Sequence, residues 1–228
     1  MFSSIGGYLI YIALLMIIPM WAQSKVKSTY KKYSRKPTSS MMTGAQVARK
    51  ILDENGLYDV NIEETKGFLS DHYDPRKKVV RLSSANYRGQ SMASSAVAAH
   101  EVGHAIQDQQ DYAFLKFRSA LVPVANFGSN MSIFLILGGL FFNLMNLLLL
   151  GIIFMSAAVL FQCITLPVEF DASNRAMTQL VSGGIIRNDE ERETKKVLNA
   201  AAMTYVAAAL VAVAELLRFL LIFLGNRD

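Results

Sequence analysis

His100-Glu101-Val102-Gly103-His104 sets two imidazoles four residues apart, in a chain of 228 residues with only three histidines. The run around them, from Ser91 or Ser94 to Gln109, reads as a helix. Four helical residues advance about 6 Å and slightly more than one turn, so both rings leave the same face. Imidazoles so placed can share one tetrahedral zinc ion. Glu101 stands beside the first of them, within reach of a water at the metal. Zinc lowers the pKa of such a water from about 15.7 to about 7. With Glu101 taking the proton, the resulting nucleophile attacks a carbonyl polarised by the same ion. This is the chemistry of peptide-bond hydrolysis. The plain alternative is two helical histidines bonded to lipid headgroups or carboxylates. A five-residue pattern recurs by chance, so its surroundings decide.

A catalytic zinc needs a third protein ligand and an open fourth position. No third histidine follows the pair closely. Asp108, one turn beyond His104, points alongside the pair and reads as a supporting or surface residue. His72 is the remaining histidine. Glu169 and Asp171 are the acids where the second long apolar stretch becomes polar. Pro167 just before them favours a helix start or a kink in a continuing helix. Ala172 and Ala176 share the face of Glu169. Small side chains there allow close approach to the His100 helix, with Glu169 directed into the gap. Asp171 and Arg175 are four apart and can form a helical ion pair. Asp171 can instead bond the free nitrogen of a ligating histidine, and Arg175 can instead contact substrate or an oxyanion.

Other elements must hold these groups. Residues 25–40 read as a basic juxtamembrane linker. Thr43-Gly-Ala-Gln46 has the form of a capping box, followed by an apolar stripe at Val47, Ile51 and Leu52 and a stop at Asn55-Gly56. Residues 58–63 alternate as a strand does. Residues 67–70 and 78–83 read as two more strands, with Asp74-Pro75 in the turn between them. His72 and Tyr73, just before residues 78–83, are placed to stabilise a tetrahedral oxyanion; alternatively His72 is a solvated turn residue.

Composition sets the surroundings. Hydrophobic residues make up 52% and charged residues 18% of the chain. Residues 1–24, 119–168 and 197–214 carry no charged side chain at all. A membrane span needs about 20 apolar residues, so the longest run accommodates two. Spans are expected at residues 5–21, 121–141, 144–164 and 198–224, the middle pair joined by a turn at residues 143–146. The first is read as an uncleaved anchor, because its lysines follow the apolar stretch rather than precede it. Glu215 and Arg218 lie three apart on the last span, where they can pair and reach the interface. Residues 25–118 hold sixteen of the twenty-three lysines and arginines. The positive-inside rule therefore makes that segment and residues 167–196 cytoplasmic. The single cysteine, Cys163, falls within a span, so no disulfide framework exists. A disordered chain, a basic nucleic-acid-binding protein and a small disulfide scaffold are all excluded.

The chain combines Asp71-His-Tyr-Asp-Pro75, Val79-Val-Arg-Leu-Ser83, Ala99-His-Glu-Val-Gly-His-Ala105 and Leu166-Pro-Val-Glu-Phe-Asp-Ala172, and the resemblance they carry spans nearly its whole length. The chain resembles the membrane metalloproteases of the HtpX and CAAX prenyl protease type. It resembles more closely the YugP-type neutral zinc metallopeptidases of bacteria. The resemblance implies Zn2+ bound by His100, His104 and Glu169, with Glu101 as general base. It also implies an edge strand above the active helix that pairs with an extended peptide, for which residues 78–83 are the candidate. One departure from the HtpX pattern stands out: the aspartate expected four residues after the ligand glutamate is Ser173 here.

The expected fold is mainly α, a four-span membrane protein with a cytosolic gluzincin-like domain built from an active-site helix and a small β-sheet. Its segments are a first span (1–24), a catalytic segment (25–118), a transmembrane hairpin (119–166), a segment with the third ligand (167–196) and a last span (197–228). The expected location is the bacterial inner membrane. The expected partners are the lipid bilayer and a peptide or membrane-protein substrate, and no nucleic acid. The alternative is a membrane scaffold or partner-binding subunit with a structural zinc. Such a site closes its fourth position and needs no carboxylate like Glu101. Hydrolysis of a non-peptide ester is a third possibility.

Overall fold

The computed structural model describes residues 5–225. The elements run α1 (Ile5–Tyr33), α2 (Gly44–Glu54), β1 (Asn61–Thr65), β2 (His72–Asp74), β3 (Val79–Ser83), α3 (Ser84–Arg88), α4 (Met92–Gln109), α5 (Ala113–Phe141), α6 (Met145–Ser182) and α7 (Asn188–Gly225). Four of them, α1, α5, α6 and α7, are long and apolar enough to cross a membrane. The uncharged runs thus mark helices, but the helices extend beyond the runs into charged sequence. Helix α1 continues through the lysine-rich stretch to Tyr33, so the expected linker begins as helix. Lysine is a good helix former, and Tyr30 and Tyr33 are buried in a core. Helix α7 likewise starts in the charged stretch, at Asn188.

The chain forms two compact units. One contains the start of α1 to Ala22, Lys116–Pro167, and the chain from Thr204 onward. Within it, Asn143 turns the chain between α5 and α6 with φ +54°, a conformation that asparagine tolerates better than most residues. Arg218 donates to Glu215 Oε2 at 2.6 Å and Tyr11 donates to Glu215 Oε1 at 2.8 Å. The expected pair therefore forms, with a tyrosine from α1 completing it.

The other unit contains Gln23–Leu115 and Val168–Met203. Its core gathers Val47, Ile51 and Leu52 of α2, Val80 and Leu82 of β3, Ala96, Ala99 and Val102 of α4, and Ala176 and Leu180 of α6. The capping box at the start of α2 is present, with Thr43 and Gln46 exchanging hydrogen bonds. Ser91 caps α4 by accepting from the Ser94 amide.

The sheet departs from expectation in two ways. Residues 67–70 form no strand; the pairing segment is β2. Strand β3 is not an edge but the centre of the order β1-β3-β2, parallel to β1 and antiparallel to β2. Its near-continuous burial is the sign of a strand covered on both sides. The short helix α3, running directly out of β3, was not apparent from sequence periodicity.

Candidate metal centre

Helix α4 carries His100 and His104, and α6 carries Glu169. Between the histidines, Gly103 leaves room for α6: a Cβ there would meet the Ala172 carbonyl oxygen at 2.6 Å. Ala172 and Ala176 are fully buried, so the expected close approach of the two helices is realised. Pro167 sits inside α6, which is one continuous helix.

The approach brings three side chains together. Glu169 Oε2 lies 3.3 Å from Nε2 of His100 and 3.7 Å from Nε2 of His104. One ligand atom from each residue falls within 4.8 Å of the others. Zn–N and Zn–O bonds of about 2.0–2.2 Å imply ligand–ligand separations of about 3.3–3.5 Å around a tetrahedral ion. The two distances to Glu169 are close to that. Glu169 is 2% exposed, and its Oε2 accepts no well-formed hydrogen bond. A buried carboxylate oxygen is costly to leave unmatched, and a cation between it and the two imidazoles removes the cost. The three residues fit a zinc ion.

The remaining imidazole nitrogens have partners. Nδ1 of His100 lies 3.2 Å from Ser173 Oγ, and Nδ1 of His104 lies 3.0 Å from Gln107 Oε1. Ser173, four residues after Glu169, thus makes the contact to His100. Asp171 touches neither imidazole; it accepts from Gln107 Nε2 at 2.7 Å and pairs with Arg175. The ion-pair reading of Asp171 is met; the direct bond to a histidine nitrogen does not form, because Gln107 stands between Asp171 and His104. Arg175 also donates to Gln110 Oε1 at 2.6 Å and lies over the Tyr112 ring, which ties it into the protein.

Burial pushes the Glu101 carboxyl up, and the neighbouring His100 and His104 offset this only in part. Burial works to lower His104, but the Glu169 and Glu101 carboxylates and the Gln107 amide outweigh it and raise its pKa. The cluster therefore attracts positive charge.

His72 lies apart from these contacts. On β2 it is exposed, with Nδ1 2.9 Å from the Ser70 carbonyl oxygen and Nε2 3.3 Å from Arg81. Its neighbour Tyr73 points to the opposite side of the strand and donates to Asp108 Oδ2 at 2.9 Å. Burial and that carboxylate push the Tyr73 phenol up, so it remains a neutral donor. Gln107 was not singled out in the sequence, and Ser173 was noted only as a departure from the HtpX pattern, not as a contact of His100. The signal for both was spacing: Gln107 follows His104 by three residues and Ser173 follows Glu169 by four, each on the same helical face.

Residues 8–224 match the family model described as "Putative neutral zinc metallopeptidase". The chain belongs to that family. It is 56% identical over 211 residues to a protein of Bacillus subtilis (strain 168) described as "Putative membrane protease YugP", covering 92% of this chain and 94% of that one. No solved structure matches.

Proposed function

We propose that this protein is a zinc-dependent endopeptidase of gluzincin type, with its active site at the cytosolic face of the membrane. The observation that carries the reading is the convergence of His100, His104 and Glu169 beside a buried fourth group, Glu101, which is 8% exposed. A structural zinc site has no use for such a carboxylate. When bound, zinc supplies Lewis acidity toward a water and toward the scissile carbonyl.

His100 and His104 would hold the ion through the Nε2 atoms that face Glu169, and Glu169 would hold it through its carboxylate. Glu101 takes the proton of the attacking water on its carboxylate and later gives it to the leaving nitrogen. Its raised pKa suits both halves of that transfer. Ser173 and Gln107 orient the ligating rings. The four long apolar helices and the family's membrane relative favour substrates that lie at or in the bilayer, including membrane proteins.

The test is Glu101→Gln. The variant is expected to keep its fold and its zinc and to lose proteolysis of casein or a membrane-protein substrate by about 10²–10⁴-fold. Cleavage at the parental rate by the zinc-loaded variant ends the proposal.

A further inference from the structure

Gln107 is fully buried and makes three polar contacts. Its Nε2 lies 2.8 Å from the Val168 carbonyl oxygen and 2.7 Å from Asp171 Oδ2. Its Oε1 lies 3.0 Å from Nδ1 of His104. The two ends of a glutamine amide have nearly the same shape, and partners decide which is which. Here the decision is forced. A carbonyl and a carboxylate accept hydrogen bonds and never donate them, so the end facing both must be the NH2. The end facing His104 is therefore the oxygen, which only accepts.

It follows that Nδ1 of His104 carries the ring proton and the lone pair resides on Nε2. That is the nitrogen directed at Glu169 Oε2, 3.7 Å away. We infer that Gln107 is a positioning residue that selects the metal-binding tautomer of His104 and fixes its ring. Asp171 and Arg175 hold the amide in that orientation. The inference rests on reading His104 as a metal ligand. A carboxylate is the common partner for a ligating histidine; here the carboxylate acts one step removed. At His100 the partner is the Ser173 hydroxyl, which can donate or accept. The device is therefore asymmetric, with His104 locked and His100 not.

Asp171 Oδ2 accepts from both Gln107 Nε2 and Arg175 Nε, so Asp171→Asn can keep an oxygen at that point and leave the amide as it stands, with the Val168 carbonyl oxygen still facing Nε2. Gln107→Met keeps the length of the side chain and removes the acceptor.

The experiment uses the full-length protein in detergent, with histidine labelled by ¹⁵N. Zinc affinity is measured by chelator competition, and the ring shifts report the tautomer. In the parent, one zinc binds and His104 is protonated at Nδ1. Gln107→Met is expected to weaken zinc about 10–100-fold and to lose the Nδ1–H signature. Asp171→Asn and Ser173→Ala are both expected to disturb the His104 signature little. A folded Gln107→Met with parental affinity and an unchanged tautomer overturns the inference while leaving the proposed peptidase intact. If that variant does not fold, a metal-free parent whose neutral His104 carries its proton on Nε2 overturns it equally. A parent that binds no zinc sinks both.

Discussion

The Ala172 carbonyl oxygen lies 2.6 Å from where a Cβ on Gly103 would stand. Helices α4 and α6 therefore touch backbone to backbone between the two histidines, one turn from Glu169. Gly103→Ala must push the helices apart, because the obstructing atom is main chain rather than the end of a flexible side chain. Overpacking of this kind costs about 1–3 kcal/mol, and the separation acts directly on the distance from Glu169 to the imidazoles. The variant is expected to melt lower than the parent and to hold less zinc. Unchanged melting and full zinc content would show that the contact does not set the site.

Glu169 joins the histidines from a different helix, so its removal tests the convergence itself. Glu169→Ala leaves two imidazoles on one face and a hole in the coordination shell. Zinc content by elemental analysis is expected to fall well below one per chain, with the fold retained. Full occupancy would count against Glu169 and turn attention to His72, the one other histidine.

The raised pKa of His104 gives zinc binding a pH dependence with a definite sign. In the metal-free protein the folded state holds the proton more tightly than an ordinary imidazole of pKa 6.5 does. Its stabilising contribution is full below the unfolded value and disappears as pH rises through the folded one. Zinc requires the neutral ring. Its affinity should therefore fall as pH drops through the raised value, and binding near neutral pH should release protons. Metal-free and zinc-loaded stabilities then diverge with rising pH. Calorimetry in buffers of different ionisation heat measures the protons released. A zinc affinity that is flat across the neutral range contradicts the assignment.

Much of this site was legible because it rests on short-range periodicity. His100 and His104 declare their common face by a spacing of four. Ala172 and Ala176 declare the small-residue face that meets Gly103. What was not legible depends on pairings distant in sequence. The order β1-β3-β2 follows from partners eighteen residues apart, as in Asn61 opposite Val79, and periodicity within one strand says nothing about which neighbour it takes. Burial on both sides of β3 carried the clue, in the unbroken Val79-Val80 pair. The polar links were hidden for a similar reason. Asp171 was visible as an acid near a histidine, but its contact through Gln107 joins α4 to α6 by an amide whose chemistry becomes specific only when both its ends are seen.

The orientation in the membrane rests on charge alone, since sixteen of the twenty-three basic residues lie in residues 25–118. Lys66 is exposed, just beyond β1, and is a suitable reporter. The native thiol, Cys163, is also exposed and must first be removed, as Cys163→Ser. In that background Lys66→Cys is expected to resist a membrane-impermeant thiol reagent in intact cells and to react once the cells are opened. The same protein must still bind zinc, which shows that neither substitution has disturbed the fold around the histidines. Labelling in intact cells would reverse the topology, because α1 would then deliver the His100 segment to the outer face. The positive-inside rule would fail for this chain, and substrates would have to be sought on the other side of the bilayer.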